Sequence, residues 1–279
     1  MNKNFALGID IGGSHISAVA VNISEGHVIH DSFTNRKVNN KASSDEILHC
    51  WKDALNAALS YIELSKLVGI GFAMPGPFDY ENGIALFTKD VAKYENLNGV
   101  NVGVELRSLL KLSGDMPFRF INDATSFAIG EAWIGHSANS RRSISVTLGT
   151  GFGSAFIEEG IPVLEGENIP QYGCLWHLPF KNGIADDYFS TRWFVKRYED
   201  LTGELLPGVK EIAEEAKNNK RAGEIFKEFG TNLGEFLTPW FQKFDAQNLV
   251  LGGNLIKAWD LFGEPFVQTV RNSGVSVSI

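Results

Sequence analysis

The stretch Phe120-Ile121-Asn122-Asp123-Ala124-Thr125-Ser126-Phe127-Ala128-Ile129-Gly130-Glu131 decides how this chain is read. It opens as the end of an apolar strand that begins at Phe118. It turns at Asn122-Asp123 and continues with Ala124, Phe127 and Ala128 at helical spacing. A carboxylate at a strand-to-helix junction stands at a sheet edge, where α/β proteins place their ligands. Asp is also a favoured helix cap, so Asp123 alone fits a purely structural role as well. The segments on either side weigh between the two.

Upstream, Phe5 to Asp10 reads as a buried strand, Ile11-Gly12-Gly13-Ser14 as a glycine turn, and Ile16 to Val21 as the returning strand. Val28 to Phe33 completes a meander. Downstream, Arg142 to Thr147 is a strand, Gly149-Thr150-Gly151-Phe152-Gly153 a second glycine turn, and Ala155 to Ile157 its return. Glycine lets backbone N–H groups approach an anion closely, and successive N–H groups in a turn form a concavity suited to phosphate. Each turn by itself fits an ordinary hairpin. The repetition, with Asp10 before the first turn and Thr150 inside the second, favours a polyphosphate held from two sides. Two other nucleotide motifs are excluded. The chain has no G-x-x-x-x-G-K-[ST] loop, and Gly149-x-Gly151-x-Gly153 has the wrong spacing for G-x-G-x-x-G and precedes a strand.

The remaining segments alternate between helix and strand. An amphipathic helix is expected over Ser44 to Leu64, a central strand over Leu67 to Ala73, and a fixed turn at Pro75-Gly76-Pro77. Phe78 to Gly99 reads as loops and short strands, and Val102 to Leu112 as a short helix. After an irregular stretch from Pro162 to Asn182, helices are expected over Asp187–Tyr198, Val209–Lys217 and Ala222 to about Phe244. Leu249 to Leu251 is a last strand, ended by Gly252-Gly253 and followed by a further helix.

Composition bounds the class. The 279 residues are 44% hydrophobic and 21% charged, which suits one large domain or two ordinary ones. A formal net charge of −8 argues against a nucleic-acid-binding surface. With Cys50 and Cys174 as its two cysteines, the chain is not a disulfide scaffold, and a cytoplasmic location is the expectation. Met1 to Gly13 is neither a signal peptide nor a membrane span, and no apolar run reaches membrane length.

Taken together, these motifs resemble the ROK family of sugar kinases and regulators (repressor, open reading frame, kinase), within the actin-like ATPase fold. The likeness runs from Phe5 to about Lys257. Asp10-Ile-Gly-Gly-Ser14 resembles the family's first phosphate motif, with Ser14 where Thr is usual. Pro75-Gly76-Pro77 and Asn96-Leu97 resemble its sugar-side segments. Asn122-Asp123 through Gly130-Glu131 is similar to its catalytic motif, Leu148 to Gly153 to its second phosphate motif, and Leu249 to Gly253 to its adenosine segment.

The resemblance implies an α/β fold of two actin-like (ribonuclease H-like) domains around a central cleft, here residues 1–118 and 119–279. It implies ATP-dependent phosphorylation of a hexose or amino-sugar hydroxyl, with Asp123 as general base. Asp10 would order Mg²⁺, through water. Gly12, Gly13, Ser14, Gly149, Thr150, Gly151, Gly252 and Gly253 would hold the nucleotide, and Gly76, Asn96 and Asn122 the sugar. A homodimer is also implied. The alternative is a non-catalytic sugar-binding regulator. Repressors of the family carry an N-terminal DNA-binding domain, for which the residues before Phe5 leave no room, so no nucleic-acid partner is expected.

Departures from the family pattern occur between the two glycine motifs and the last helices. The family's Glu-x-x-His sugar motif matches Cys174-Leu175-Trp176-His177, so His177 is retained while Cys174 replaces the glutamate. The family's zinc site with three cysteines has no counterpart in Asn182 to Tyr188, and no zinc is expected. His177 is assigned to the sugar, with a structural histidine as the other reading. Asp186 stands where a second glutamate is usual and either reaches a sugar hydroxyl or caps the following helix. Trp176 either stacks on the sugar or fills volume.

Overall fold

Alternation builds the first sheet. In Phe5–Ile11 (β1), Leu7, Ile9 and Ile11 are buried while Asp10 between them is exposed. The computed structural model describes residues 4–89 and 93–279. Residues 1–3 of the N-terminal stretch and residues 90–92 of the Phe78–Gly99 segment lie outside the described residues. β1 turns at Gly12-Gly13 and pairs antiparallel with His15–Asn22 (β2), which pairs with His27–Lys37 (β3).

Ser44–Leu59 (α1) follows, its start marked by Ser43, whose Oγ accepts from the Glu46 N–H at 3.3 Å. Ile47, Leu48, Trp51, Ala54, Leu55 and Ala58 form its buried face. Trp51 meets the ring of Tyr94 edge-on at 5.4 Å. The helix ends at Leu59, short of the expected Leu64. The Ser60 hydroxyl donates to the Ala57 carbonyl and its N–H to the Asn56 carbonyl, which closes the last turn. Leu64–Lys66 then forms a single 3₁₀ turn.

Leu67–Met74 (β4) runs parallel to β1. Phe78–Asp79 (β5) and Ile84–Ala85 (β6) make a small hairpin. Val102–Leu109 (α2) is capped by Asn101, and Phe118–Asn122 (β7) returns parallel to β4. The strand order is β3-β2-β1-β4-β7. Phe72 stacks on Phe120 at 4.8 Å, and Phe78 tilts against Phe120 at 5.2 Å, so aromatic rings seal the β4–β7 seam. By internal contacts the first unit is Met1–Ser126 and the second Phe127–Ile279. Asp123–Ile134 (α3) runs from one into the other.

In the second unit Arg142–Leu148 (β8), Phe152–Glu158 (β9) and Ile161–Pro162 (β10) form a meander. A small hairpin, Pro179–Phe180 (β11) and Gly183–Ile184 (β12), leads into Ala185–Tyr188 (α4) and Thr191–Thr202 (α5). The single helix expected over Asp187–Tyr198 is thus two. Phe189 and Ser190 leave helical backbone angles between them. Phe189 is fully buried there, 5.2 Å from both Phe152 and Phe236, and this packing overrides the local helical pattern. Val209–Glu215 (α6), Lys220–Phe244 (α7), Asn248–Gly252 (β13) and Trp259–Asn272 (α8) complete the unit. β13 joins β8 in parallel, giving the order β10-β9-β8-β13. Among the described residues no helix is long and apolar enough to cross a membrane.

α7 and α8 approach each other through glycine. A Cβ placed on Gly230 would lie 2.2 Å from the Phe262 carbonyl oxygen, which no flexible group can vacate. Gly230→Ala is therefore expected to cost about 1–3 kcal/mol through overpacking. Urea unfolding measures it, and a midpoint equal to that of the unsubstituted protein would contradict this close approach.

Candidate active site

The three parallel strands of the first unit set the geometry of its edge. In register, Asp10 lies beside Ala73, Ala73 beside Ile121, and Met74 beside Asn122. Neighbouring strands are about 4.8 Å apart. Asp10, the Pro75-Gly76-Pro77 turn and Asn122-Asp123 therefore leave the sheet along one edge, at the carboxyl ends of adjacent parallel strands.

Asn122, not Asp123, caps α3. Its Oδ1 accepts from the N–H groups of Ala124 at 3.0 Å and Thr125 at 3.3 Å. Its Nδ2 points to the Tyr80 hydroxyl at 3.4 Å, and that hydroxyl donates to the Met74 carbonyl at 3.2 Å. Asp123 keeps a 2.8 Å bond from the Ala124 N–H to its Oδ1. Both Asp10 and Asp123 retain solvent exposure, yet the protein packed behind them desolvates both. Desolvation is the largest influence on Asp123 and raises its pKa above the ordinary carboxylate value. The Ala124 N–H and the Lys93 cation pull the other way. Asp10 is raised by desolvation and then by the negative charge of Asp123, which puts the two carboxylates within electrostatic reach of each other.

The first glycine turn is held from several directions. The Gly12 N–H donates to the His15 carbonyl at 2.9 Å. The Gly12 carbonyl accepts from the Tyr94 hydroxyl at 2.7 Å, and the Gly13 carbonyl from Asn40 Nδ2 at 2.5 Å. Among the described residues, the N–H groups of Gly13 and Ser14 donate to no protein partner. Two adjacent unpaired N–H groups form the kind of concavity that takes a phosphate oxygen. Ser14 Oγ bonds to His15 Nδ1 at 2.8 Å. Asn96 spends both amide hydrogens on the backbone carbonyls of Lys41 and Ala42, at 3.2 and 2.8 Å. Only its Oδ1 is left to meet a ligand. Gly76 lies close to Tyr80, whose hydroxyl would be 3.6 Å from an added Cβ.

In the second unit the β8–β9 turn is closed by Gly149 N–H donating to Gly151 O at 3.1 Å. Its base is tied to α5, because the Thr191 N–H and hydroxyl both donate to the Gly149 carbonyl, at 2.8 and 2.9 Å. The N–H groups of Thr150 and Gly151 have no protein acceptor among the described residues. Asp186 braces the far side. Its Oδ1 accepts from the Phe152 N–H at 2.7 Å, and its Oδ2 pairs with Arg192 Nη2 at 2.5 Å. A Cβ on Gly151 would sit 3.0 Å from Asp186 Oδ1. Both carboxylate oxygens of Asp186 are thus committed to the turn.

Gly252 ends β13 beside Thr147 and faces the ring of Phe127, 2.6 Å from where its Cβ would stand. Gly253 adopts φ 91° with the Leu148 carbonyl 2.3 Å from its would-be Cβ, so glycine is required on both counts. His177 lies 3.9 Å from Cys174 Sγ through Nδ1 and meets the half-exposed Trp176 ring edge-on at 5.3 Å. Cys174 and His177 offer two ligands where a structural zinc needs about four, so they do not fit that metal. A hard divalent cation has a better fit at Asp10, since such ions take one or two carboxylates and fill the rest with water and phosphate oxygen.

Several residues of these sites escaped the motif reading. Tyr80 and Tyr94 are recognisable only by proximity to Pro77 and Asn96 in the chain, and Arg192 by its spacing from Asp186 on consecutive helices.

The ROK family profile matches residues 6–275, and the chain belongs to that family. It is 27% identical, over 89% of its length and 83% of the relative's, to the N-acetyl-D-glucosamine kinase of Pectobacterium carotovorum. In fold it is similar to the ROK hexokinase of Thermus thermophilus, with a TM-score of 0.76, 18% identity and coverage of 96% and 89% of the two chains. It is likewise similar to a Streptomyces griseus ROK glucokinase solved with glucose and AMPPNP, at TM-score 0.72 and 21% identity over 98% and 90%. The α/β, two-unit, actin-like architecture expected from the sequence is the architecture of these structures.

The capping role of Asn122 can be measured separately from any activity. Asn122→Ala is expected to lower stability by about 1 kcal/mol, the usual cost of losing a side-chain cap. Thermal unfolding reads it, and unchanged stability would mean that Asp123 takes over the cap.

Proposed function

We propose that the protein transfers the γ-phosphoryl group of ATP to a hydroxyl of a hexose or N-acetylhexosamine. The observation that carries this reading is the first unit's sheet edge, where Asp123, beside the capping Asn122, stands with Asp10 and the N–H groups of the Gly13-Ser14 turn that have no acceptor among the described residues. Kinship with N-acetyl-D-glucosamine kinases at 27% identity supports the sugar class.

Asp123 accepts the proton of the attacking sugar hydroxyl as its oxygen bonds to the γ-phosphorus and the bond to the ADP oxygen breaks. The N–H groups of Gly13 and Ser14, and those of Thr150 and Gly151, donate to phosphate oxygens. Gly252 and Gly253 contact the adenosine through their backbone. Asp10 would hold a water-coordinated Mg²⁺, which when bound offsets the phosphate charge. Asn122 Nδ2, Asn96 Oδ1, His177 and the backbone at Gly76 hold sugar hydroxyls. Such polar partners discriminate strongly among sugars, because a missing hydroxyl leaves them unpaired. Asp186 serves the phosphate side by holding the Phe152 N–H and keeping the second turn open.

Incubation with MgATP and a panel of hexoses and N-acetylhexosamines, read as ADP release, is expected to show sugar-dependent turnover. Sugar binding without ADP release on any member would point instead to a sensor. Asp123→Asn is expected to reduce kcat by at least ~100-fold, the scale of lost general-base catalysis, with sugar affinity retained. Because the base must be ionised and its pKa is raised, kcat/KM should fall with decreasing pH through a pKa above 3.8. An acid limb at or below that value would contradict the raised pKa of Asp123.

A further inference from the structure

Lys93 lies across the first glycine turn. A Cβ on Gly13 would stand 3.1 Å from Lys93 Cε, 3.4 Å from Cδ and 3.5 Å from Nζ, so the whole outer half of the side chain runs alongside that residue. The placement follows from the neighbouring residue. Tyr94 is fully buried, edge-on to Trp51 at 5.4 Å and tilted against Phe87 at 5.9 Å. Its hydroxyl donates to Gly12 O at 2.7 Å, and its N–H to Asn40 O at 3.1 Å. Asn40 in turn donates to Gly13 O. Tyr94 therefore pins its segment onto the turn, and the Lys93 side chain runs along it. Lys93 forms no ion pair within 4.0 Å among the described residues. Its charge nevertheless acts on Asp123.

A half-buried lysine with no anion in contact among the described residues, beside two N–H groups with no acceptor among them, is a set of donors that share one missing partner. We propose that Lys93 is a further catalytic residue that binds the transferred phosphoryl group at the Gly13-Ser14 turn and stabilises the charge on its oxygens during transfer. This rests on the reading given under Proposed function. Its chemistry is that of cationic side chains aimed at transferring phosphoryl groups, where preorganised charge acts in a partly desolvated site. The phosphate concerned is the terminal one. The turn that Lys93 follows comes directly after Asp10, at the same sheet edge as Asn122-Asp123, so the ammonium stands on the side of the attacking oxygen. No bond is made or broken at Lys93, and no proton leaves it.

The test compares the unsubstituted protein with Lys93→Met, which keeps the length and apolar stem, and Lys93→Arg, which keeps the charge. Calorimetry measures Mg²⁺-AMPPNP, Mg²⁺-ADP and sugar binding, and ADP release measures turnover; melting curves establish that each variant is folded. Lys93→Met is expected to weaken AMPPNP binding and lower kcat/KM for ATP by at least ~10-fold, leave ADP and sugar binding within ~2-fold, and be partly rescued by arginine. Equal AMPPNP binding by the methionine variant and the unsubstituted protein would overturn the Lys93 assignment and leave the kinase reading intact. Selective loss of AMPPNP binding in a protein that turns over no sugar would uphold Lys93 and overturn the kinase reading. A defect confined to acidic pH, with AMPPNP binding unchanged, would mean that Lys93 only tunes Asp123 and would overturn phosphate binding. No nucleotide binding by the unsubstituted protein would overturn both.

Discussion

The structure depends on the side-by-side pairing of β1, β4 and β7 as parallel strands. Parallel pairing brings the carboxyl ends of strands that are far apart in sequence to one edge, with side chains in fixed register. Asp10 and Asp123 are separated by more than a hundred residues, yet one intervening strand sets their distance. Desolvation, and after it the charge of Asp123, raises the pKa of Asp10. Like-charged groups held together in this way suit a site whose ligands bring positive charge with them.

A second constraint is the division of labour between adjacent polar residues. Asn122 closes the α3 N-terminus and anchors to Tyr80, so Asp123 only shares the Ala124 N–H and does not carry the cap alone. Tyr94 does the same for Lys93: the buried ring and its bond to Gly12 hold the backbone, and the neighbouring side chain is left over the turn. Asp186 does the reverse, since its two oxygens are used within the second unit to hold Phe152 and Arg192. In each pair a structural residue fixes the chain and its neighbour or partner meets solvent.

The long strands, most helices and both glycine turns were legible because they rest on local chemistry. Period-two alternation in β1 and β2, helical spacing in α1, and glycine where backbone must approach backbone are all encoded within a few residues. Two helix boundaries were not legible. The break between α4 and α5 and the early end of α1 were invisible, because Phe189 is drawn out of the helix by rings contributed from β9 and α7, and Ser60 ends α1 with its own hydroxyl. At the site, residue types at Asp10, Asn122 and Asp123 were readable, whereas the commitments of Asn96 and Asp186 to backbone and Arg192 were not.

By itself the sequence determined which residue types stand at each turn and junction, and through them the family and the class of chemistry they suit. Tertiary structure alone decided which of those side chains remain available to a ligand. Availability depends on hydrogen-bond partners that lie tens of residues away, and a carboxylate or amide whose oxygens and hydrogens are already satisfied by such partners has the same letter in the sequence as one that is not.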